Sequence, residues 1–295
     1  MKSVEIRPMQ QTDLHAVLEV VNTAFTGLIE GMYNRTPPSP LFASMMGTYR
    51  LALDPDGCHV AVAGGEVVGA NFSLLRGTLG WFGPLAVRPG FQGSGTAQRL
   101  VRESIASAER RGMRLMGLET LANSPQHVHL YQKLGFQPSW TGISYRRSVR
   151  GGEVPSGVQV DAPPPALDYV YPGFDASKDA RATLSSKAGF TLTAGDGFAV
   201  CHVENTLWVE ATTAYVPLIA APDRPTFDAL VLGVEALAGR HGRTAVATQV
   251  PGSSRATLDA LLEHGYKNGG AALRMKRGEG IDYDSAPIYY CDDWH

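Results

Sequence analysis

Residues Val4 to Arg7 alternate apolar and charged positions, the period of a half-buried strand. From Thr12 or Asp13 the apolar residues Leu14, Val17, Leu18, Val21 and Phe25 recur three and four apart, which predicts a helix with one buried face. Residues 31–39, with Pro37-Pro38, predict a loop, and 40–53 a second helix carrying Leu41, Phe42, Met45, Met46 and Tyr49. Asp54-Pro55-Asp56-Gly57 reads as a turn. Residues 59–63 and 66–75 form a hairpin pattern around Gly64-Gly65. A strand over 81–87 leads through a glycine-rich turn to a helix over 96–111, with Leu100, Val101, Ile105 and Ala108 on one stripe and Gly112 at its end. A strand over 115–121, a helix opening at Ser124-Pro125 and ending before Gly135, and a strand over 139–149 complete the run. Strand, two helices, three strands, helix, strand, helix, strand is the order of a mixed α/β fold.

Residues 150–165 hold Gly151-Gly152 and Pro163-Pro164-Pro165 and predict a linker. The chain of 295 residues then divides into a first domain, 1–149, a second over 166–280, and a tail, 281–295. Tyr283, Tyr289, Tyr290 and Trp294 predict that the tail docks through its rings. The second domain echoes the first at a shift of 130: Gly112 falls on Gly242, Ser124 on Ser254, Gly135 on Gly265, Phe136 on Tyr266, and Leu100-Val101 on Leu230-Val231. A shared helix–glycine–strand–serine–helix–glycine–aromatic plan predicts a duplicated fold.

Composition narrows the function classes. Apolar residues are 44% and charged residues 18%, as in chains with packed cores. Lys and Arg number 26 against 28 Asp and Glu, so no basic excess invites a nucleic acid. Cys58, Cys201 and Cys291 are far apart and form no metal-ligand spacing, which predicts reduced thiols, a cytoplasmic location and no metal. The N-terminal residues have no apolar run, and no stretch is long enough to span a membrane, so neither a leader nor a membrane partner is expected.

The chemistry concentrates in Gly83-Pro-Leu-Ala-Val-Arg-Pro-Gly-Phe-Gln-Gly-Ser-Gly-Thr-Ala-Gln98, where a strand ends, a glycine-rich turn follows and a helix begins. Gly93 and Gly95 permit positive φ and close approach, and the amides of the helix start make an anion site. Residues 88–114 carry six arginines, at 88, 99, 102, 110, 111 and 114, against Glu103 and Glu109. Such a field suits a polyphosphate ligand, or is a solvated helix face. Gly95 is followed by Thr-Ala rather than the Lys-Ser/Thr of a P-loop, and Gln98 stands where a dinucleotide fingerprint needs Gly or Ala.

Gln92-x-x-Gly95-x-Ala97 resembles the Q/R-x-x-G-x-G/A signature of the GNAT family of N-acetyltransferases. Leu85-Ala-Val-Arg-Pro89 is similar to that family's fourth strand, and Leu130-Tyr131-Gln-Lys-Leu-Gly135-Phe136 to its L-Y-x-x-x-G-F segment. The resemblance covers residues 3–149. It implies acetyl transfer from acetyl-CoA to a primary amine of a small molecule or peptide and, together with the echo at a shift of 130, an α/β fold of tandem GNAT-like domains. A CoA-binding regulatory or scaffold protein without turnover is the alternative. The resemblance places the pantetheine arm on the backbone of Leu85, Ala86 and Val87, and the pyrophosphate on Gln92, Gly93, Ser94, Gly95, Thr96 and Ala97. It makes Tyr131 the general acid for the departing thiolate. Glu119, on the preceding strand, is either the general base or a hydrogen-bonded strand carboxylate. The family's usual asparagine, seven residues before the tyrosine, is here Ser124, with Asn123 one step earlier, and these two are the candidate CoA contacts there. His127 and His129 read as surface or packing residues. In the second half Pro222, Pro225, Phe227 and Leu261 replace Gln92, Gly95, Ala97 and Tyr131, which predicts a degenerate module without the phosphate loop. The sequence leaves the acceptor and the oligomeric state open.

Overall fold

The computed structural model describes residues 3–208, 210–278 and 288–293. The first half runs β1 (Val4–Pro8), α1 (Leu14–Tyr33), α2 (Met45–Leu53), β2 (His59–Ala63), β3 (Glu66–Arg76), β4 (Leu79–Val87), α3 (Thr96–Arg110), β5 (Leu115–Thr120), α4 (Pro125–Gln132) and β6 (Gln137–Ser148). The second runs β7 (Val158–Val160), α5 (Ser177–Ser185), β8 (Gly189–Ala194), β9 (Gly197–His202), β10 (Thr213–Ala221), α6 (Arg224–Arg240), β11 (Ala245–Pro251), α7 (Arg255–Glu263) and β12 (Lys267–Gly278), and β13 (Tyr289–Asp292) follows. The shift of 130 persists in three dimensions: β11, α7 and β12 begin 130 residues after β5, α4 and β6.

Several boundaries differ from the sequence pattern for identifiable reasons. The segment before α2 is extended rather than helical. Asn22 Oδ1 accepts from the N–H groups of Leu41 and Phe42 at 2.8 and 2.9 Å, and Phe42 bridges to Trp208 of the second half. Helix α1 runs to Tyr33, into the expected loop, and closes on Asn34 in the left-handed conformation. The expected linker contains β7, which pairs with β8. Of the tail aromatics, Tyr289 and Tyr290 lie on β13, while Tyr283 and Trp294 fall outside the described residues.

The largest difference is strand exchange. The sheet order is β1-β2-β3-β4-β5-β12-β6-β11-β10-β9-β8-β7. Strand β6 leaves its own half and pairs with β11, from Ser148–Ala245 to Gly142–Pro251, while β12 pairs with β5, from Thr120–Leu273 to Leu115–Gly278. The division into 1–149 and 166–280 therefore does not separate two sheets. Periodicity predicts a strand at β6, but β12 has the same length, and a strand's own pattern carries no label for its partner. One apolar cluster spans the junction, with Tyr49, Leu53, Leu79 and Trp81 against Phe198, Val200, Leu218 and Tyr290. There Arg76 forks onto Asp179 at 2.9 and 2.6 Å, both side chains at most 2% exposed, with its guanidinium 4.2 Å from the centre of the Trp81 ring. Among the described residues no helix is long and apolar enough to cross a membrane.

Candidate functional site

Strands β4 and β5 are parallel neighbours only at Leu79–Leu115, Gly80–Met116 and Trp81–Gly117. Beyond these pairs they part, and among the described residues no strand enters the gap between 82–87 and 118–120. On its other edge β4 pairs with β3, where the register slips between Phe82–Ser73 and Leu85–Asn71. This bulge at Gly83-Pro84 bends the strand as the gap opens. Leu85, Ala86 and Val87 thus keep β3 on one side and present their second backbone edge to the cleft.

The glycine-rich turn sits above that cleft. Gly93 and Gly95 have φ of 73° and 82°, and Gly95 is the N-cap of α3 without a side-chain cap. The N–H groups of residues 93–98 make no backbone–backbone hydrogen bond among those found for the described residues, which leaves donors at the positive end of a helix. The turn is braced from within: Gln92 Nε2 donates to Val87 O at 3.0 Å, Ser94 Oγ donates to Phe91 O at 2.6 Å, and Ser94 Oγ lies 2.8 Å from Thr96 Oγ1. Gln92 therefore shapes the turn with its side chain. A Cβ at Gly93 or Gly95 would meet nothing, so the space above both is open. Asn123 is exposed and Ser124 buried at the start of α4, where the Ser124 hydroxyl makes no cap.

Most of the local arginines serve the fold. Arg99 donates to Val4 O, Arg110 pairs with Glu103, Arg111 chelates Asp54, and Arg88 bonds Val67 O. The positive field expected over residues 88–114 is accordingly smaller than their count.

Tyr131 is buried beside the cleft, its ring 5.7 Å from Phe82 and 6.4 Å from Phe136. Its hydroxyl makes no hydrogen bond to a described residue, and burial raises its pKa well above the ordinary phenol value. Met116 and Leu118 point to the face that holds Tyr131, α3 and α4. Strand alternation sends Glu119 to the opposite face, toward the junction of the halves. There Glu119 Oε1 accepts from Arg274 Nε at 2.7 Å, with the two side chains at 1% and 0% exposure. Arg274 in turn donates to Asp292 Oδ1 at 2.6 Å. A Cβ at Gly142 would overlap Glu119 Oε1 and lie 2.9 Å from Arg274 Nε, so a glycine floors this pair. Sequence reasoning missed Arg274, Asp292 and Gly142. The available signal was an arginine between Leu273 and Met275, at a position whose neighbours alternate with it. His127 is half-buried and its pKa is lowered by burial, as for a packing histidine.

The corresponding cleft of the second half is closed. Strands β10 and β11 also part, after Val216–Thr248, but β13 fills the gap by pairing with β10 from Leu218–Asp292 to Ala221–Tyr289. Tyr290 N donates to Thr257 Oγ1 at 2.9 Å, and Tyr289 stacks on Phe227, ring centres 5.2 Å apart. At the start of α6, Asp223 accepts from Thr226 N, and Pro225 contributes no N–H.

The model of the Acetyltransferase (GNAT) family matches residues 23–136. Mycothiol acetyltransferase of Streptomyces avermitilis is 30% identical over 95 residues, 32% of this chain and 31% of that protein, so the match spans about a third of the relative. A candidate acetyltransferase of Pyrococcus horikoshii superposes with a TM-score of 0.73 at 18% identity, covering 100% of this chain and 96% of its own. A tandem GNAT protein from the clavulanic acid biosynthesis pathway superposes at 0.54 with 13% identity, covering 94% and 99%. These structures are alike in fold, and the fold is that of tandem GNAT-like units.

Proposed function

We propose, from the match of residues 23–136 to the Acetyltransferase (GNAT) family model, that this chain transfers the acetyl group of acetyl-CoA to a primary amine of a small molecule or peptide. The observation that carries the reading is the parting of β4 and β5 beneath a turn whose amides find no backbone acceptor among the described residues, with Tyr131 on one face of the cleft and Glu119 on the other. In this reading the free edge of Leu85, Ala86 and Val87 takes the amide-bearing arm of the cosubstrate as a strand takes a neighbour. The amides of Gly93, Ser94, Gly95, Thr96 and Ala97 take its pyrophosphate, and Asn123 and Ser124 border the same opening. Acetyl-CoA supplies an activated acyl group and a thiolate leaving group.

The protein's own part is placement and proton transfer. Burial keeps the Tyr131 phenol protonated, so it donates a proton when negative charge develops on the neighbouring sulfur. Glu119, on the opposite face and paired there with Arg274, is the candidate to take the proton from the attacking amine. The chain reads as two GNAT-like units that exchange their last strands, the second degenerate and retained for shape, so that one acetyl-CoA binds per chain. Three free and buried cysteines suit a reducing cytoplasm. The reading is tested by free-thiol release from acetyl-CoA across a panel of amines, with acetylated product identified by mass. Acetyl-CoA binding without thiol release for any amine would favour the scaffold alternative instead.

A further inference from the structure

Asp292 stands on β13, the strand that closes the second half's cleft, and is fully buried. Its Oδ1 accepts from Arg274 Nη1 at 2.6 Å, and its carbonyl oxygen accepts from Nη2 at 3.0 Å. Arg274, also fully buried, donates through Nε to Glu119 Oε1 at 2.7 Å. Arg274 and Glu119 are cross-strand partners across the exchanged β12–β5 pair. A guanidinium is a rigid planar fork, so fixing its two terminal nitrogens on Asp292 fixes the direction in which Nε meets Glu119. Gly142 leaves room for this line of atoms and for nothing larger. Burying two carboxylates around one arginine is a poor way to gain stability, since a packed apolar set often does as well. The arrangement does determine where the Glu119 carboxylate sits.

We propose that Asp292 is a positioning residue for acyl transfer: the C-terminal strand, seated in the closed cleft of the second half, orients Glu119 at the open cleft of the first through Arg274. The proposal rests on the acetyl-transfer reading above. In the step it serves, the amine nitrogen bonds to the acyl carbon, the acyl carbon–sulfur bond breaks with its electron pair going to sulfur, the N–H proton passes to a Glu119 carboxylate oxygen, and the leaving thiolate takes the Tyr131 proton. The N–H electron pair stays on nitrogen. The second half then contributes to catalysis without touching substrate.

The test is Asp292→Asn, which keeps the shape and removes the charge. Misplacing a reacting group by an ångström lowers rate up to about 10²-fold, so kcat should fall by roughly 10–100-fold while KM and Kd for acetyl-CoA stay within about twofold. In a Glu119→Gln background the same substitution should cause no further fall, because its effect runs through Glu119. A fall of equal size in both backgrounds, or a kcat within about twofold of wild type, overturns the proposal. A second readout needs no turnover: the ¹⁵N-edited resonance of the Arg274 Nε–H should shift in Asp292→Asn. An unmoved resonance overturns the coupling whether or not the chain transfers acetyl groups. A wild type that acetylates no amine, with the resonance shifted, overturns the acetyl-transfer reading and not the coupling. If Asp292→Asn fails to fold, Gly142→Ala presses on the same pair from the other side and should give the same split of kcat from KM. Unchanged kcat in that variant overturns the proposal.

Discussion

Replacing Tyr131 with phenylalanine removes one oxygen and its proton. The ring contacts with Phe82 and Phe136, at 5.7 and 6.4 Å, survive the change. The lost hydroxyl has no hydrogen-bond partner among the described residues, so stability should change by less than about 1 kcal/mol, the net worth of one ordinary hydrogen bond. Catalysis should change far more. General acid catalysis contributes roughly 10²–10⁴-fold. At about 1.36 kcal/mol per tenfold, that raises the barrier by about 2.7–5.4 kcal/mol. The assay is thiol release at saturating acetyl-CoA, with calorimetry for acetyl-CoA affinity and thermal melts as controls. We expect unchanged affinity, a melting temperature close to wild type and a kcat at least about 100-fold lower. An activity within about twofold of wild type in the folded variant would refute Tyr131 as the acid.

Strand exchange predicts that fragments 1–150 and 151–295, expressed apart, fail to fold cooperatively, because each must leave its exchanged strand unpaired; co-expressed, they should form a complex that melts as one unit. A sharp melt of either fragment alone would contradict the exchanged pairing. His202 is buried, shares hydrogen bonds with Tyr49 Oη at 2.9 Å and Thr206 Oγ1 at 2.7 Å, and has its pKa lowered to about 3 by burial, with Arg50 adding to the effect. Between its ordinary value near 6.5 and about 3, the unfolded chain binds a proton that the folded chain does not. Stability should therefore be complete above that window and fall as pH drops through it, by about 1.4 kcal/mol per unit. In His202→Gln the loss of melting temperature between pH 7 and pH 5 should shrink, and an equal loss would count against this role.

What the sequence revealed and what it hid divide along physical lines. The helix over Thr96–Arg110 was legible because its apolar stripe, glycine N-cap and closing Gly112 agree. Tyr131 and the glycine turn were legible as a spaced motif. Strand partners were not: β6 and β12 look alike, and only packing across the junction tells them apart. The arginines over residues 88–114 looked like a ligand field because sequence shows a charge and not its partner, such as Asp54 for Arg111. Glu119 was singled out, but Arg274 lies 155 residues further along, and no local pattern joins them. The tail's composition predicts docking through aromatic rings. Its backbone ladder with β10 and the buried Asp292 were invisible because nothing in the composition of the tail shows that a gap awaits a strand.

The proposed function places one acetyl-CoA per chain, in the open cleft of the first half. Calorimetric titration of the intact chain with acetyl-CoA tests it most directly, with Gly95→Trp measured alongside. A Cβ at Gly95 meets no protein atom, so the bulk of the new side chain projects where the pyrophosphate should pass. Holding a non-glycine residue at a φ of 82° costs only about 1–2 kcal/mol. The account predicts saturation at one equivalent in the wild type and no binding in the folded variant. Two equivalents, no binding by the wild type, or one equivalent surviving in Gly95→Trp would contradict it.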